Sequence, residues 1–277
     1  MRTTTAFAVA GFLTASASAQ DSAATCATGI HLIVARGSNE PAGVGRIGSV
    51  ANGVVASIPG SQIEAINYPA TFDNYSTSVA AGAEAMKIAL TQYSSQCPNS
   101  KIALLGYSQG AQVVGDTLCG NTEDFKSGNM DFDFNFTTPV AASVIDHSVI
   151  AAILFGDPTH NTSASWNKGT STHDGLFPRE NVTACKGYAP KIESYCDTGD
   201  IYCDLGNDTT VHGSYFKKYT NEAVEFIVAR FNATKSSTNS TSPTTTSRPV
   251  PASGSAPSAS AMLMSLAGLS VLVTHLL

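Results

Sequence analysis

The chain has 277 residues, 43% hydrophobic and 13% charged, with a formal net charge of −6. A mildly acidic chain without a Lys/Arg run excludes nucleic acid as an expected partner. Its length leaves room for one domain with a sizeable core once both ends are set aside.

Residues 1–19 carry an early Arg2, an apolar run over 6–13, and small residues at Ala17 and Ala19 ahead of Gln20. That layout reads as a secretory signal peptide cleaved after Ala19. The folded domain is expected over 20–234.

Residues 30–35 (IHLIVA) form a nearly continuous apolar run with β-branched members, the mark of a strand buried on both faces. It ends in the loop Arg36-Gly37-Ser38-Asn39-Glu40-Pro41. Over 45–58 the apolar residues Ile47, Val50, Val54, Val55 and Ile58 are spaced for one face of a helix, which Pro59-Gly60 stops. A second strand over 62–67 ends at Tyr68-Pro69-Ala70, because proline cannot continue a central strand. An alanine-rich helix over 76–93 follows, and Pro98 bars its extension.

The stretch 101–110, KIALLGYSQG, is the most informative in the chain. An apolar run stops at Gly106, and helical periodicity begins at Ala111, Val113 and Val114, so the reading is strand, sharp turn, helix. In Gly106-Tyr107-Ser108-Gln109-Gly110 the glycines remove side chains where strand and helix approach. The turn would hold Ser108 in a strained conformation with its hydroxyl exposed. Such a serine needs a base, an orienting acid and a site for an oxyanion before it acts as a nucleophile.

The next helix is expected to run through Leu118. Residues 121–139 show no clear period and read as an irregular surface excursion. A strand over 149–155 (VIAAILF) is closed by Gly156-Asp157-Pro158. A loop-rich region reaches Pro190, a last short strand covers 191–195, and one helix over 214–232 ends the domain. Apolar strands alternating with helices argue an α/β fold, a parallel sheet covered on both faces. In such sheets function gathers at the carboxyl ends of the strands, where Ser38, Ser108, Asp157 and the segment after Tyr195 fall.

Six cysteines, an even number, lie inside the domain, and in a secreted chain they read as three disulfides. Cys26 and Cys97 each precede a strand by four residues and are expected to pair. Cys196 and Cys203 would close a small loop, leaving Cys119 with Cys185. Asn-x-Ser/Thr sequons at Asn74, Asn135, Asn161, Asn181, Asn207, Asn232 and Asn239 are glycosylation candidates.

Residues 235–260 are dominated by Ser, Thr and Pro and read as an extended, O-glycosylated stalk. The apolar tail 261–277 is uncharged. Together they resemble a signal exchanged for a glycolipid (GPI) anchor, with Ser253, Gly254 and Ser255 as candidate attachment sites; a plain tail-anchoring helix is the alternative.

Downstream of Ser108 the histidines to weigh are His147, His160, His173 and His212. His212 is best placed, late in the chain and just before the last helix. Twelve residues earlier, Asp200 lies in the loop expected to be closed by Cys196 and Cys203, with Asp197, Asp204 and Asp208 as rivals. The other histidines read as surface or loop residues.

Five segments together carry a family likeness: Ala35-Arg36-Gly37-Ser38, Asn67-Tyr68-Pro69-Ala70, Gly106-Tyr107-Ser108-Gln109-Gly110, Gly156-Asp157-Pro158, and 195–203 (YCDTGDIYC) followed by Val211-His212-Gly213. From Cys26 to Asn232 the chain resembles the fungal cutinase and acetylxylan esterase family. The resemblance implies a three-layer fold around a five-stranded, mostly parallel sheet with no large lid. It implies a triad of Ser108, Asp200 and His212, and an oxyanion site at the N–H groups of Gln109 and Ser38. It implies a secreted monomeric esterase that needs no metal or organic cofactor, acting on an ester of plant cell-wall polysaccharide or cutin.

The polar loop around His212 points to acetyl esters of xylan, whereas 35–40 look more like a cutinase for longer acyl chains. An anchored surface protein without catalysis is the reading from another class. A flavodoxin-like nucleotide binder fails because no glycine-rich phosphate loop follows the first strand.

Overall fold

The computed structural model describes residues 25–121, 125–127, 130–132, 134, 136–180 and 182–239. They fall within one compact unit that ends at Ser240. The signal segment, the sequons at Asn135 and Asn181, and the chain from 240 onward lie outside the described residues.

The elements in order are β1 (Ile30–Ala35), α1 (Gly48–Ser57), β2 (Gln62–Ala65), α2 (Tyr75–Gln96), β3 (Lys101–Tyr107) and α3 (Gln109–Cys119). Then come β4 (Phe125–Ser127), β5 (Met130–Phe132), α4 (Ala142–Ser148), β6 (Val149–Phe155), β7 (Asn167–Gly169), a 3-10 helix (Val182–Lys191) and β8 (Ile192–Cys196). Three helices close the domain: α5 (Thr209–His212), α6 (Tyr215–Lys218) and α7 (Thr220–Asn239).

Every pairing in the main sheet is parallel, and its order is β2-β1-β3-β6-β8-β7. The sheet therefore has six strands rather than the expected five. The added edge strand, Asn167-Lys168-Gly169, pairs on one side only and has no apolar alternation, so hydropathy could not reveal it.

β1 and β6 are buried along their whole length, and the two faces alternate as a pleated strand requires. Ile33, Ile102 and Leu104 meet Met86, Leu90, Val113 and Val114 on the α2/α3 side. Leu32, Val34 and Leu105 meet Val50, Val54 and Ile227 on the α1/α7 side. Each such fully buried aliphatic side chain contributes about 1.5–3 kcal/mol over exposure, so Leu104→Ala would cost roughly 2–5 kcal/mol.

Other expectations are corrected locally. The segment read as irregular contains the antiparallel hairpin β4–β5, and part of the loop-rich region is a 3-10 helix. The single helix over 214–232 is in fact α6 and α7, with the short α5 ahead of them, and α7 reaches Asn239, past the expected boundary at 234. All three expected disulfides are present, with Cα–Cα separations of 5.6, 5.1 and 5.9 Å.

From β1 the chain crosses to β2 on one side and then to β3 on the other, so the sheet reverses its winding between β1 and β3. The crevice at such a switch point is where α/β sheets bind ligands. Ser38 follows β1 there, and Ser108 follows β3.

Candidate active site

The turn after β3 is as tight as the motif demands. A Cβ on Gly106 would run into the carbonyl of Gly110, and one on Gly110 into the carbonyl of Ala35. Their absence lets β1, β3 and α3 converge behind Ser108. Ser108 takes φ 53° and ψ −122°, a conformation that costs a non-glycine residue about 1–3 kcal/mol. Its N–H donates to the carbonyl oxygen of Phe155 at 2.8 Å, and its own carbonyl accepts from Ala111. Only 8% of the serine is exposed, less than the sequence suggested. Gln109 begins α3, so its N–H belongs to the first turn, where the helix offers no acceptor. The Gln109 side chain is fixed, accepting from Ser78 Oγ at 2.8 Å and donating to the carbonyl of Thr71 at 3.0 Å.

The two motifs after β1 and β2 prove to be one unit. The buried Arg36 guanidinium donates to the carbonyls of Tyr68 and Glu40, and Tyr68 returns its phenol proton to the Arg36 carbonyl. Glu40 accepts from the Gly37 N–H at 2.7 Å, and the Asn39 N–H donates to the Ala70 carbonyl. Between these anchors the Oγ of Ser38 is buried without a partner.

Among the four candidate acids, Asp200 is the one that meets His212. The imidazole Nδ1 lies 2.8 Å from Asp200 Oδ2 and 3.1 Å from Oδ1. The Cys196–Cys203 ring supplies further donors, the N–H groups of Tyr202 at 2.8 Å and Cys203 at 3.2 Å, and Tyr215 adds its hydroxyl at 2.6 Å. Burial alone would raise the Asp200 carboxyl, yet the hydrogen bonds and charge of His212, with those from Tyr215 and the backbone, hold it below its ordinary range. An ionised carboxylate only accepts, so Nδ1 carries the proton and the neutral ring keeps its lone pair on Nε2. Nε2 is buried and has no partner.

The rivals are occupied elsewhere. Asp197 binds Lys218 and Tyr219, Asp204 binds Ser171 and the Gly199 N–H, and Asp208 caps α5 through Thr210. His147 and His173 are surface residues as expected. His160 is a loop residue but a buried one, 4% exposed, and burial lowers its pKa.

His212 is brought to the elbow by contacts on both sides of Ser108. Tyr107 donates to the His212 carbonyl, and its ring lies 5.1 Å from the imidazole. On the other side, Gly156 sits directly under the ring: a Cβ there would come within 2.8 Å of it. Gly156 follows Phe155, the acceptor for the Ser108 N–H. Arg46 completes the clamp by donating to the Gly213 carbonyl at 2.7 Å while stacking on Phe216. Sequence reasoning missed Arg46 and Tyr215, because both act across the fold on main-chain or carboxylate atoms. Among the described residues no group of three or more His, Cys, Asp or Glu is placed to hold a metal ion.

Compared with known proteins, residues 26–231 match the profile of the family described as Cutinase. The chain belongs to the cutinase family. It is a carboxylic ester hydrolase, a serine esterase of that family. Among its relatives, "Acetylxylan esterase 2" of Talaromyces purpureogenus is 36% identical over 73% of this chain and 86% of its own. "Cutinase 11" of Verticillium dahliae is also 36% identical, over 74% of this chain and 69% of its own. The solved catalytic core of acetyl xylan esterase from Trichoderma reesei superposes with a TM-score of 0.66 at 35% identity, covering 74% of this chain and all of that one.

In this cutinase-family esterase the cavity that includes Ser108 is small, about 150 Å³, and walled by Phe72, Tyr75, Pro158, Leu176, Phe177 and Tyr202. A larger cavity of about 320 Å³ runs beside α3, with Phe177 in its wall too and the buried Asp116–Arg179 ion pair in its lining. It contains neither Ser108 nor His212. Of the described sequons, Asn74, Asn207 and Asn232 are exposed, whereas the Asn161 amide already donates to the Arg179 carbonyl.

Proposed function

We propose that this esterase is secreted and removes acetyl groups from plant cell-wall polysaccharide through an acyl-enzyme. Ser108 Oγ attacks the ester carbonyl carbon as His212 Nε2 takes its proton, and the carbonyl oxygen becomes an oxyanion. The N–H of Gln109 and Ser38 receive that charge, with the unpartnered Ser38 hydroxyl as a further donor. The alcohol leaves with the proton from His212. Water then repeats the sequence on the acetyl-enzyme, acetate departs, and Ser108 is restored. Asp200 keeps the imidazole in the tautomer whose lone pair faces outward from the carboxylate.

The observation that carries the substrate class is the size of the Ser108 cavity. At about 150 Å³ it is half the lower end of ordinary ligand pockets, roughly 300–1,000 Å³, which suits an acetyl group and leaves a long acyl chain outside. The acetylxylan esterases among the relatives support the same choice. Longer chains are the second reading, favoured by the exposed Phe72 at the cavity and Leu205 two residues past the Cys196–Cys203 ring, 47% and 54% exposed. Secretion is supported by the three disulfides and the leader-like residues 1–19. Tethering through a lipid anchor, and glycosylation at exposed sequons, rest on the sequence alone.

Rates on nitrophenyl esters from acetate to a long acyl chain, with acetylated xylan alongside, test this reading. A steep fall with chain length and release of acetate from xylan are expected. Rates that rise with chain length would turn the assignment to a cutinase.

A further inference from the structure

The Asp200 carboxylate has a partner that the reaction scheme above leaves without a task. Tyr215 opens α6 and is fully buried. Its hydroxyl oxygen lies 3.1 Å from the Asp197 nitrogen and 2.6 Å from Asp200 Oδ2. The amide of Asp197 has a proton to give, so it donates to the phenol oxygen. The single phenol proton must then find an acceptor. Two are within reach, the Asp200 carboxylate and, at 3.2 Å, the sulfur of Cys203. That sulfur is in a disulfide, with no proton to donate and little power to accept. The proton therefore points at Asp200, and the amide fixes its direction. The ring cannot swing away: it packs on Phe155 at 5.9 Å and on Tyr219 at 6.2 Å, edge to face with His212 at 6.4 Å.

We infer that Tyr215 is a positioning residue of this esterase, one that fixes Asp200 Oδ2 and limits how strongly the carboxylate pulls on the His212 imidazole. The inference rests on the triad reading given under the proposed function. Its chemistry is simple competition: a carboxylate that accepts a strong neutral hydrogen bond has less electron density for its other donor. Without the phenol, Asp200 would bind the charged imidazolium more tightly, and His212 would stay protonated to higher pH.

The charges around the pair set the background against which that effect is read. On one side lie Asp197, in ion pair with Lys218, within the disulfide loop, and Asp204 just past its closing Cys203. Tyr107, with Arg46 and Glu40 beside it, faces the imidazole from the other, and Tyr202 lies edge-on to it. Removing one hydroxyl at 215 leaves these charged and titratable side chains in place and takes from Asp197 only the acceptor of its backbone N–H.

The test is the pH profile of kcat/KM for nitrophenyl acetate in Tyr215→Phe, beside Tyr219→Phe and Ser108→Ala. Tyr219 is a matched control: a buried phenol of the same cluster, whose hydroxyl goes to Asp197 Oδ1 at 2.7 Å rather than to Asp200. For Tyr215→Phe we expect kcat about tenfold lower, KM within about twofold, and the acid limb moved upward by about half a pH unit. For Tyr219→Phe the limb stays in place. An unmoved limb in Tyr215→Phe, or equal movement in both, overturns the inference. Esterase activity that survives in Ser108→Ala overturns the triad reading itself. If Tyr215→Phe does not fold, 3-fluorotyrosine at 215 keeps the ring and strengthens the donor. The limb should then move downward, and no movement overturns the proposal.

Discussion

The phenol of Tyr107 donates to the main-chain oxygen of His212 at 3.1 Å, so the residue immediately before Ser108 holds the residue that carries the imidazole. The elbow thus contributes more than a strained serine: it fixes the loop opposite. Tyr107→Phe removes that bond and little packing. About tenfold lower kcat on nitrophenyl acetate is expected, with the melting temperature nearly unchanged. Loss of stability without loss of kcat would place Tyr107 in the scaffold alone.

Asp200→Asn leaves the loop nearly isosteric but offers the imidazole a mixed partner, favouring the wrong tautomer. A fall in kcat of roughly 10³–10⁴ is expected, while Asp208→Asn, at the cap of α5, should change it by less than about threefold. Steady-state kinetics on the purified variants decide between the acids. The native Asp200 carboxyl is held below its ordinary range, so the stability it contributes is present above the unfolded value and lost as pH falls through the folded one. Acid unfolding of Asp200→Asn should therefore be shallower than that of the native chain.

Phe177 lines both the 150 Å³ and the 320 Å³ cavities. Phe177→Ala should join them, raising the ratio of kcat/KM for an eight-carbon ester over acetate by about tenfold. It should also cost roughly 3–5 kcal/mol of stability. An unchanged ratio would mean the acyl group lies elsewhere.

Arg179 lies 2.8 Å from the fully buried Asp116. Burial pushes the Asp116 carboxyl up from 3.8 to about 6, with Arg179 opposing the shift. A raised carboxyl contributes stability that is full below its unfolded value and is lost as pH rises through the folded one. Arg179→Met leaves that loss unopposed. Urea unfolding should show a deficit of roughly 3–5 kcal/mol at pH 8 and distinctly less at pH 5, where Asp116 can stay protonated. An equal deficit at both would show that packing, not charge, is what Arg179 supplies.

The strands were legible where burial on both faces wrote an unbroken apolar run: the sequence places one strand at 149–155, and β6 occupies just those residues. Strand β7 was not, because an edge of three polar or small residues leaves no hydropathic trace. The split of the last helix was also hidden, since Tyr215, Phe216 and Tyr219 keep helical spacing while the breaks come from the turns at Gly213 and Tyr219. In the candidate site, local constraint in the sequence marked the close approach at the elbow glycines and the Asp200–His212 contact beside a disulfide ring. Arg36 with Tyr68, Arg46 with Gly213, and Tyr215 with Asp200 escaped because each pair is joined by hydrogen bonds between segments separated in the sequence, which leave no local pattern.

The most direct test of the account is labelling with a phosphoryl ester inhibitor such as diethyl nitrophenyl phosphate, read by peptide mass spectrometry. One adduct on Ser108 is expected, forming far more slowly in His212→Ala and absent in Ser108→Ala. No adduct on the native chain, or one on a different serine, would contradict the proposal that Ser108, His212 and Asp200 act as one triad.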